Sequence, residues 1–214
     1  SSVWSKTSIT ITDNAAISPE GVQNAARVSS TTPPNLAYCI FSSSSVSGAL
    51  RFFAKDSGGR YFLIIRGSYG AKDYAIFDLQ DGVITTNPTY SGSSATITDF
   101  GNGWYECVLL SNQSTTINAF AISGSGTNLT TAPTGTIDIY GATLESSASY
   151  VSSYIPTYGA SVTRGGDIAT NDNTNLIGLD EFTFLWDGVL DSPRNGSGTF
   201  AHLILDGTIG FKGA

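Results

Sequence analysis

The sequence is poor in the residues that carry acid–base, redox or metal chemistry. Only 13% of its 214 residues are charged, histidine occurs once, cysteine occurs twice and methionine is absent. The single imidazole, His202, lies in an apolar run without a placed partner, so no catalytic triad is predicted. Cys39 and Cys107 lack CxxC spacing, which argues against a zinc site and leaves either two buried free thiols or one disulfide.

Basic charge and long apolar runs are also scarce. Ten Lys and Arg residues against 17 Asp and Glu give a net charge of -7 and a pI near 4.4. Such a chain is not expected to neutralise a nucleic-acid backbone. It has no run of about 18 apolar residues and no signal-peptide pattern at its start, so no membrane partner is predicted. The start at Ser1 without a methionine suggests a processed product or a fragment.

Glycine, serine, threonine and aromatic residues dominate instead. There are 24 glycines, and aromatics make up 11% of the chain, which favours short strands and many turns over helices. Three apolar runs, Ala49–Lys55, Tyr61–Gly67 and Tyr74–Leu79, are separated by the turn sequences DSGGR and SYGAKD. This spacing predicts an antiparallel meander.

Further strand-like runs lie on both sides of this meander, over Val3–Thr12, residues 22–28, Leu36–Ser42, Val83–Thr85, Ala95–Thr98, Phe100–Leu110, Thr116–Ser123 and Thr136–Leu144. The serine-rich segment after Ser42 predicts a flexible connection, and Asp13-Asn14 predicts a turn. Trp104 is predicted to be a core residue, and Trp4 to clasp the first strand onto the core. Residues 22–28 are the run that could form a helical turn instead of a strand. About nine or ten strands without a βαβ alternation predict an all-β fold, an antiparallel two-sheet β-sandwich of the jelly-roll type.

The predicted domain organisation follows from residues 150–167, which have neither helical nor strand periodicity. Residues 1–149 form the predicted sandwich. Residues 150–174 are predicted to be an extended strap, because Pro156 lacks a backbone donor and several glycines follow it. Residues 175–214 contain two strand-like pieces joined by a turn. Since a two-stranded ribbon is marginal alone, it is predicted to pack on the sandwich, on another chain or on further sequence.

A sugar-binding surface is the binding site that the residue types favour. Aromatic rings stack on the apolar faces of pyranoses, and amides and charged groups satisfy the hydroxyls. The candidates are Tyr61, Tyr69, Tyr74 and Tyr90, with Arg51, Arg60 and Arg66 close to them in sequence. Tyr69 and Tyr90 are the stronger candidates because they fall in loops, whereas Tyr61 and Tyr74 have the alternative role of paving a sheet face.

Hydrolysis of a polysaccharide is not favoured. A glycosidase needs two carboxylates that face each other across a cleft. The acidic residues Asp56, Asp73, Asp81 and Asp99 fall in turns, where hydrogen bonds to the local backbone explain them. We therefore predict a protein that is not an enzyme.

Several motifs together resemble a known family. The segments SPEGVQNAARV, FDLQDGVI, FGNGWYECVLL, IDIYGATLE and SYIPTYGASVTRGGD resemble the carbohydrate-binding-module-like jelly-roll domain of bacteriophage tail and other virion structural proteins. The resemblance covers residues 1 to 167, and its last segment is the most specific part. The later run EFTFLWDGVL resembles the first strand of a laminin-G or concanavalin-like sandwich, which this chain does not complete.

The resemblance implies a non-enzymatic fibre, spike or decoration protein, exposed on a virion or extracellular, that attaches to cell-surface polysaccharide and gains avidity from many copies. Its partners would be other virion proteins and copies of itself, with a trimer the common arrangement of fibres. The rival is a purely architectural module, with Phe184 and Trp186 of the ribbon at its interface. No cofactor is implied beyond a structural calcium ion, for which Asp138 and Glu145 are the candidate ligands.

Overall fold

The structure, a computed structural model, describes residues 4–31, 37–68, 71–128, 131, 133 and 135–156. All of them belong to the first of two compact units, Ser1–Thr163, into which the chain divides. The predicted ribbon over residues 175–214 and the later part of the strap lie outside the described residues. None of the described residues lies in a helix long and apolar enough to cross a membrane.

Antiparallel strands joined by turns make up the described residues, and no helix is found among them. The strands are β1 Ser5–Thr7, β2 Ile9–Ala16, β3 Ala25–Ser30, β4 Ala37–Asp56, β5 Tyr61–Ser68, β6 Ala71–Asp78, β7 Val83–Thr86, β8 Ser94–Gly101, β9 Trp104–Ser123 and β10 Thr136–Ser146. Their number agrees with the nine or ten strands that the turn spacing predicts.

The strands form two layers that share two members. Layer I has the order β1, β4, β9, β5, β6, β7, and it uses the first half of β4 and the second half of β9. Layer II has the order β2, β3, β10, β4, β9, β8, and it uses the opposite halves of the two shared strands. This arrangement confirms the predicted all-β, antiparallel two-sheet sandwich.

Both shared strands, β4 and β9, are 20 residues long and cross from one layer to the other. Their mutual pairing is regular from Ala37 to Ser42 and again from Gly48 to Lys55, with shifts of register around Val46. The flexible connection predicted for the serine-rich segment is therefore wrong, because these residues continue the ladder through a bend. The two strands predicted between residues 100 and 123 are likewise parts of one strand, β9.

The chain also changes layers near its start. β1 pairs with β4 in layer I, whereas β2 pairs with β3 in layer II. Between them Ser8 has a φ of 54°, a left-handed conformation that turns the backbone at this step. The turn predicted at Asp13-Asn14 is instead an irregularity within β2, where Asn14 has a φ of 53° and the register shifts between Thr12 and Ala16.

The inner faces of the two layers meet in one core of aromatic and aliphatic side chains. Phe52 of layer II lies 5.5 Å from Phe62 and 5.4 Å from Phe120 of layer I, measured between ring centroids. Cys39 and Cys107 are buried free thiols in the same core, which agrees with the first of the two predicted alternatives. Burial of this apolar surface, at about 25 cal/mol per Å², holds the layers together.

Trp4 and Trp104 pack as predicted. Trp4 clasps β1 onto the core, with its ring centroid 4.6 Å from Phe41 and 5.6 Å from Phe120. Trp104 is 2% exposed and packs near Phe53 on the outer face of layer II. Its Nε1 donates to the carbonyl of Ile17, which fixes the loop between β2 and β3 over this face.

A buried arginine closes the bend of β4. Arg66 on β5 has no exposed surface, and its two terminal nitrogens donate to the carbonyls of Gly48 and Val46, each over 2.6 Å. These carbonyls lie where the ladder between β4 and β9 loses its register. Burial lowers the pKa of Arg66, and the charge of Asp73 opposes that shift. Gly48 has a φ of 136°, and a Cβ there would overlap the carbonyl oxygen of Glu145.

Replacing Arg66 by Met is expected to lower the free energy of unfolding by about 2–4 kcal/mol, because two buried carbonyls lose their donor. Lys55→Met is the matched control, since Lys55 also donates to a carbonyl, that of Asn102, but at the surface. The control should cost less than about 1 kcal/mol. Urea unfolding measures both values, and equal losses would contradict the role of Arg66 in the bend.

The two buried thiols are expected to make stability fall at alkaline pH. Burial raises the pKa of Cys39, and that of Cys107 more strongly, above the ordinary thiol value of 9.0. Above that value the thiols of the unfolded chain ionise while the folded ones stay protonated, so rising pH favours the unfolded state. In the C39A/C107A variant, the free energy of unfolding should decline less than in the wild type between about pH 8 and 10. Urea titrations across this range measure it, and parallel curves would refute the linkage.

Candidate functional site

A groove opens along the side of the sandwich where layer I ends at β1 and layer II ends at β2. We call it the edge groove. Its volume is about 710 Å³, which is within the range of small-molecule sites. Core side chains form its floor, aromatic and small residues its walls, and polar residues its rim. The floor has Ile11, Ala26, Phe52, Phe120 and Ile139, the walls have Trp4, Tyr140, Gly141, Ala142 and Tyr154, and the rim has Lys6, Asp13, Asn14 and Asn24.

One wall of the edge groove is shaped by a bulge in β10. The register of β10 against β4 shifts between Tyr140 and Thr143, and Gly141 has a φ of 61°. The bulge brings Gly141 and Ala142 to the groove, where Tyr154 of the strap covers them. A Cβ at Gly141 would lie only 2.9 Å from the ring carbon Cζ of Tyr154, so the close approach of the strap requires glycine here.

The rim combines both charges with amides. Lys6 on β1 and the irregular part of β2, Asp13 and Asn14, are exposed at the mouth. Asn24 lies just before β3, and its side-chain Oδ1 is buried without a hydrogen-bond partner. A buried polar atom of this kind costs stability unless a donor reaches it. The polar groups that a ligand can reach from solvent are therefore those of Lys6, Asp13 and Asn14.

Tyr140 is a lining residue whose hydroxyl is engaged within the protein. Burial is the main reason that its pKa is raised, and hydrogen bonds with Glu20 and Tyr154 add to the shift. Glu20 belongs to the loop between β2 and β3, so this hydroxyl ties the loop and the strap to β10. With Lys6 and Asp13 at the mouth, the rim carries one charge of each sign. It therefore favours a ligand of low net charge.

Most of the predicted sugar-binding residues lie elsewhere. Tyr69 lies outside the described residues. Tyr61 and Tyr74 are half-buried and pack against an apolar cluster on the outer face of layer I, which agrees with their alternative role of paving a sheet face. Arg66 is fully buried and donates to carbonyls of β4. The structure thereby corrects its predicted role as a surface contact for sugar.

Tyr90 keeps a position that suits contact with a ligand. Its side chain is 50% exposed in the loop between β7 and β8. The backbone of this loop is anchored, since the Tyr90 N–H lies 3.4 Å from Asp73 Oδ1 and the Asn112 amide donates to the Ser91 carbonyl over 3.3 Å. Tyr90 is therefore a second candidate contact, and it does not line the edge groove.

The two predicted calcium ligands both pair with arginines. Asp138 lies 2.7 Å from Arg27, and Glu145 lies 2.9 Å from Arg51. In the part of the chain that the structure describes, no group of three or more His, Cys, Asp or Glu residues could hold a metal ion. The calcium site stays a prediction. The predicted interface residues, Phe184 and Trp186, lie outside the described residues.

The sequence pattern does not point to the edge groove, because its walls come from opposite ends of the domain. Trp4 and Tyr140 meet only after β1 and β10 have taken their places in different layers. The usable signal is the Asp13-Asn14 pair, whose polar side chains interrupt an otherwise alternating strand. Such an interruption marks a position where the chain needs polar groups, although it does not say for what.

A scan against models of known protein families and a search of curated proteins find no match to this chain. The resemblance to phage modules thus stays a prediction from the motifs.

Gly141→Ala is expected to displace Tyr154 and to lower the free energy of unfolding by about 2–4 kcal/mol, the sum of left-handed strain and overpacking. Gly21→Ala is the matched control, because Gly21 also has a positive φ, 79°, but a Cβ there would meet nothing within 4 Å. The control should show the strain alone, about 1–2 kcal/mol. Thermal and urea unfolding measure the difference, and equal losses would mean that the strap does not press on Gly141.

Proposed function

We propose that this domain is a non-catalytic glycan-binding module of a bacteriophage virion structural protein, and that the edge groove is its saccharide site. The observation that carries the proposal is the combination found in the groove. Aromatic residues line a cavity whose rim carries exposed charged and amide side chains. Stacking surfaces beside polar groups that fix orientation are what saccharide recognition requires.

The combination of an aromatic ring and a polar rim suits a sugar. Trp4 lines the groove, so a pyranose could stack an apolar face on its ring and direct hydroxyls to the rim. The Asn14 amide, the Asp13 carboxylate and the Lys6 ammonium, which are exposed at the mouth, provide both donors and acceptors there. A cavity of about 710 Å³ leaves room for more than one sugar ring.

The proposal that the module is not catalytic rests on the carboxylates of the groove. Asp13 is the one carboxylate among the lining residues that the structure describes. Glycoside hydrolysis uses a pair of carboxyl groups on either side of the scissile bond. Binding without turnover is therefore the better account of this groove.

The virion setting is supported by the motifs that resemble phage modules, and by an energetic argument. An open groove that contacts a few hydroxyls binds weakly, and a structural protein present in many copies compensates through avidity. Attachment to host-surface polysaccharide is the function that such an arrangement serves.

One observation favours the architectural alternative. Among the described strands, β8 pairs on one side only, with β9, and its Phe100 is 53% exposed. A free strand edge beside an exposed aromatic ring can pair with a neighbouring chain. In that case the face would mediate assembly, and the domain would need no sugar.

A glycan array probed with the full chain is expected to give binding to bacterial surface saccharides, and the K6A/D13A variant should weaken it by about tenfold or more. Both residues are exposed at the rim, so the variant should unfold at the wild-type temperature. Tyr90→Ala is the control, since it removes an exposed ring outside the groove. Binding lost in Tyr90→Ala but kept in K6A/D13A would move the site to that loop. A chain that binds no glycan and scatters light as an oligomer would favour the architectural alternative.

A further inference from the structure

We infer that Arg51, which does not line the edge groove, is a positioning residue for it, because Arg51 holds the strap that supplies Tyr154 to the groove wall. Ligand binding in the groove and docking of the strap are then coupled. The inference rests on the proposed function where it concerns saccharide affinity. Its structural part, the dependence of the groove wall on the Arg51 contact, stands independently of that function.

Arg51 is buried on the outer face of layer II, between two carboxylates. It is 1% exposed, its Nε lies 3.1 Å from Glu106 Oε1, and its Nη2 lies 2.9 Å from Glu145 Oε1. The same Nη2 donates to the carbonyl of Ser152 in the strap. Glu145 completes the arrangement, since its Oε2 accepts from the Ser152 N–H over 3.0 Å. Both backbone polar groups of Ser152 are therefore held by one ion pair.

Tyr154 follows two residues after Ser152 in the strap, and it packs against the aromatic residues of the outer face of layer II. Its ring centroid lies 5.1 Å from that of Phe53 and 6.0 Å from that of Tyr140. These contacts, with the close approach to Gly141, place Tyr154 over the β10 bulge. The ion pair therefore holds Ser152, and ring packing holds Tyr154. The position of Tyr154 over the bulge depends on the contacts of Ser152.

The energetic consequence is a linkage between two sites. If the groove has its full wall only while the strap is docked, a ligand that contacts Tyr154 binds the docked state more tightly. By thermodynamic necessity it then also stabilises docking. A charge-assisted contact gives this arrangement two discrete states, because undocking the strap leaves Arg51 Nη2 and Glu145 Oε2 without their backbone partners at Ser152.

The strap continues into the remainder of the chain after Pro156, and this gives the coupling a use. A contact or a force on the chain beyond Pro156 acts on the same segment that completes the groove wall. The saccharide affinity of the groove therefore depends on whether the strap is docked on this domain.

Glu145→Gln in the full chain tests the inference, since it removes the charge that pairs with Arg51 while keeping the size of the side chain. Asp81→Asn is the matched control, because Asp81 pairs with Arg60 at a turn beyond β6, outside the lining of the groove. Hydrogen exchange should rise about tenfold in Glu145→Gln for residues 150–156 and also for residues 139–142 of the groove wall, and in neither segment for the control.

Saccharide affinity is the second measurement. Titration calorimetry with N,N′-diacetylchitobiose and with maltotriose, one amide-bearing and one plain probe, should show binding of whichever fits weakened by about fivefold or more in Glu145→Gln. Exchange that rises only in residues 150–156, or an affinity equal to that of the wild type, would overturn the inference. If neither probe binds the wild-type chain, the proposed function loses support for these sugars, and the exchange of residues 139–142 alone decides the inference.

Discussion

The fold depends on the continuity of one antiparallel strand pair through both layers of the sandwich. β4 and β9 pair in layer I, bend together and pair again in layer II, so each layer is anchored on the same two strands. A bend interrupts the ladder and leaves carbonyls of Val46 and Gly48 to be satisfied. The guanidinium of Arg66 reaches both from the neighbouring strand, at the cost of burying a charge. With both terminal nitrogens bonded to these carbonyls, the buried guanidinium favours one geometry for the bend.

The edge groove is a consequence of the same architecture. Because the two layers share their central strands, they are joined in the middle and end separately, at β1 and at β2. On that side the core is covered incompletely, and Trp4, β10 and the strap form the walls instead. A second buried arginine, Arg51, holds the strap. The bend of β4 and the wall of the edge groove therefore each depend on a buried arginine, in a chain in which only 13% of the residues are charged.

The sequence predicts the strands, the absence of helix and the two-sheet class, because period-2 patterns and glycine-rich turns are local signals. It does not predict that the serines after Ser42 continue a strand, since their composition is that of a linker and only pairing with β9 holds them extended. Arg66 has the same ambiguity, because a charged residue at the end of a strand suggests the surface until its partners are known. The groove is hidden for a related reason: Trp4, Tyr140 and Tyr154 are ordinary aromatic residues in the sequence and become a site only through long-range packing.

The most direct test of the saccharide site is a crystal structure of the chain soaked with the glycan that it binds most tightly in solution. We expect difference density for a pyranose in the edge groove, in contact with the ring of Trp4 and with a hydroxyl within hydrogen-bond distance of Lys6 or Asp13. Density against Tyr90, or an empty edge groove at a concentration that saturates binding in solution, would contradict the assignment of the site.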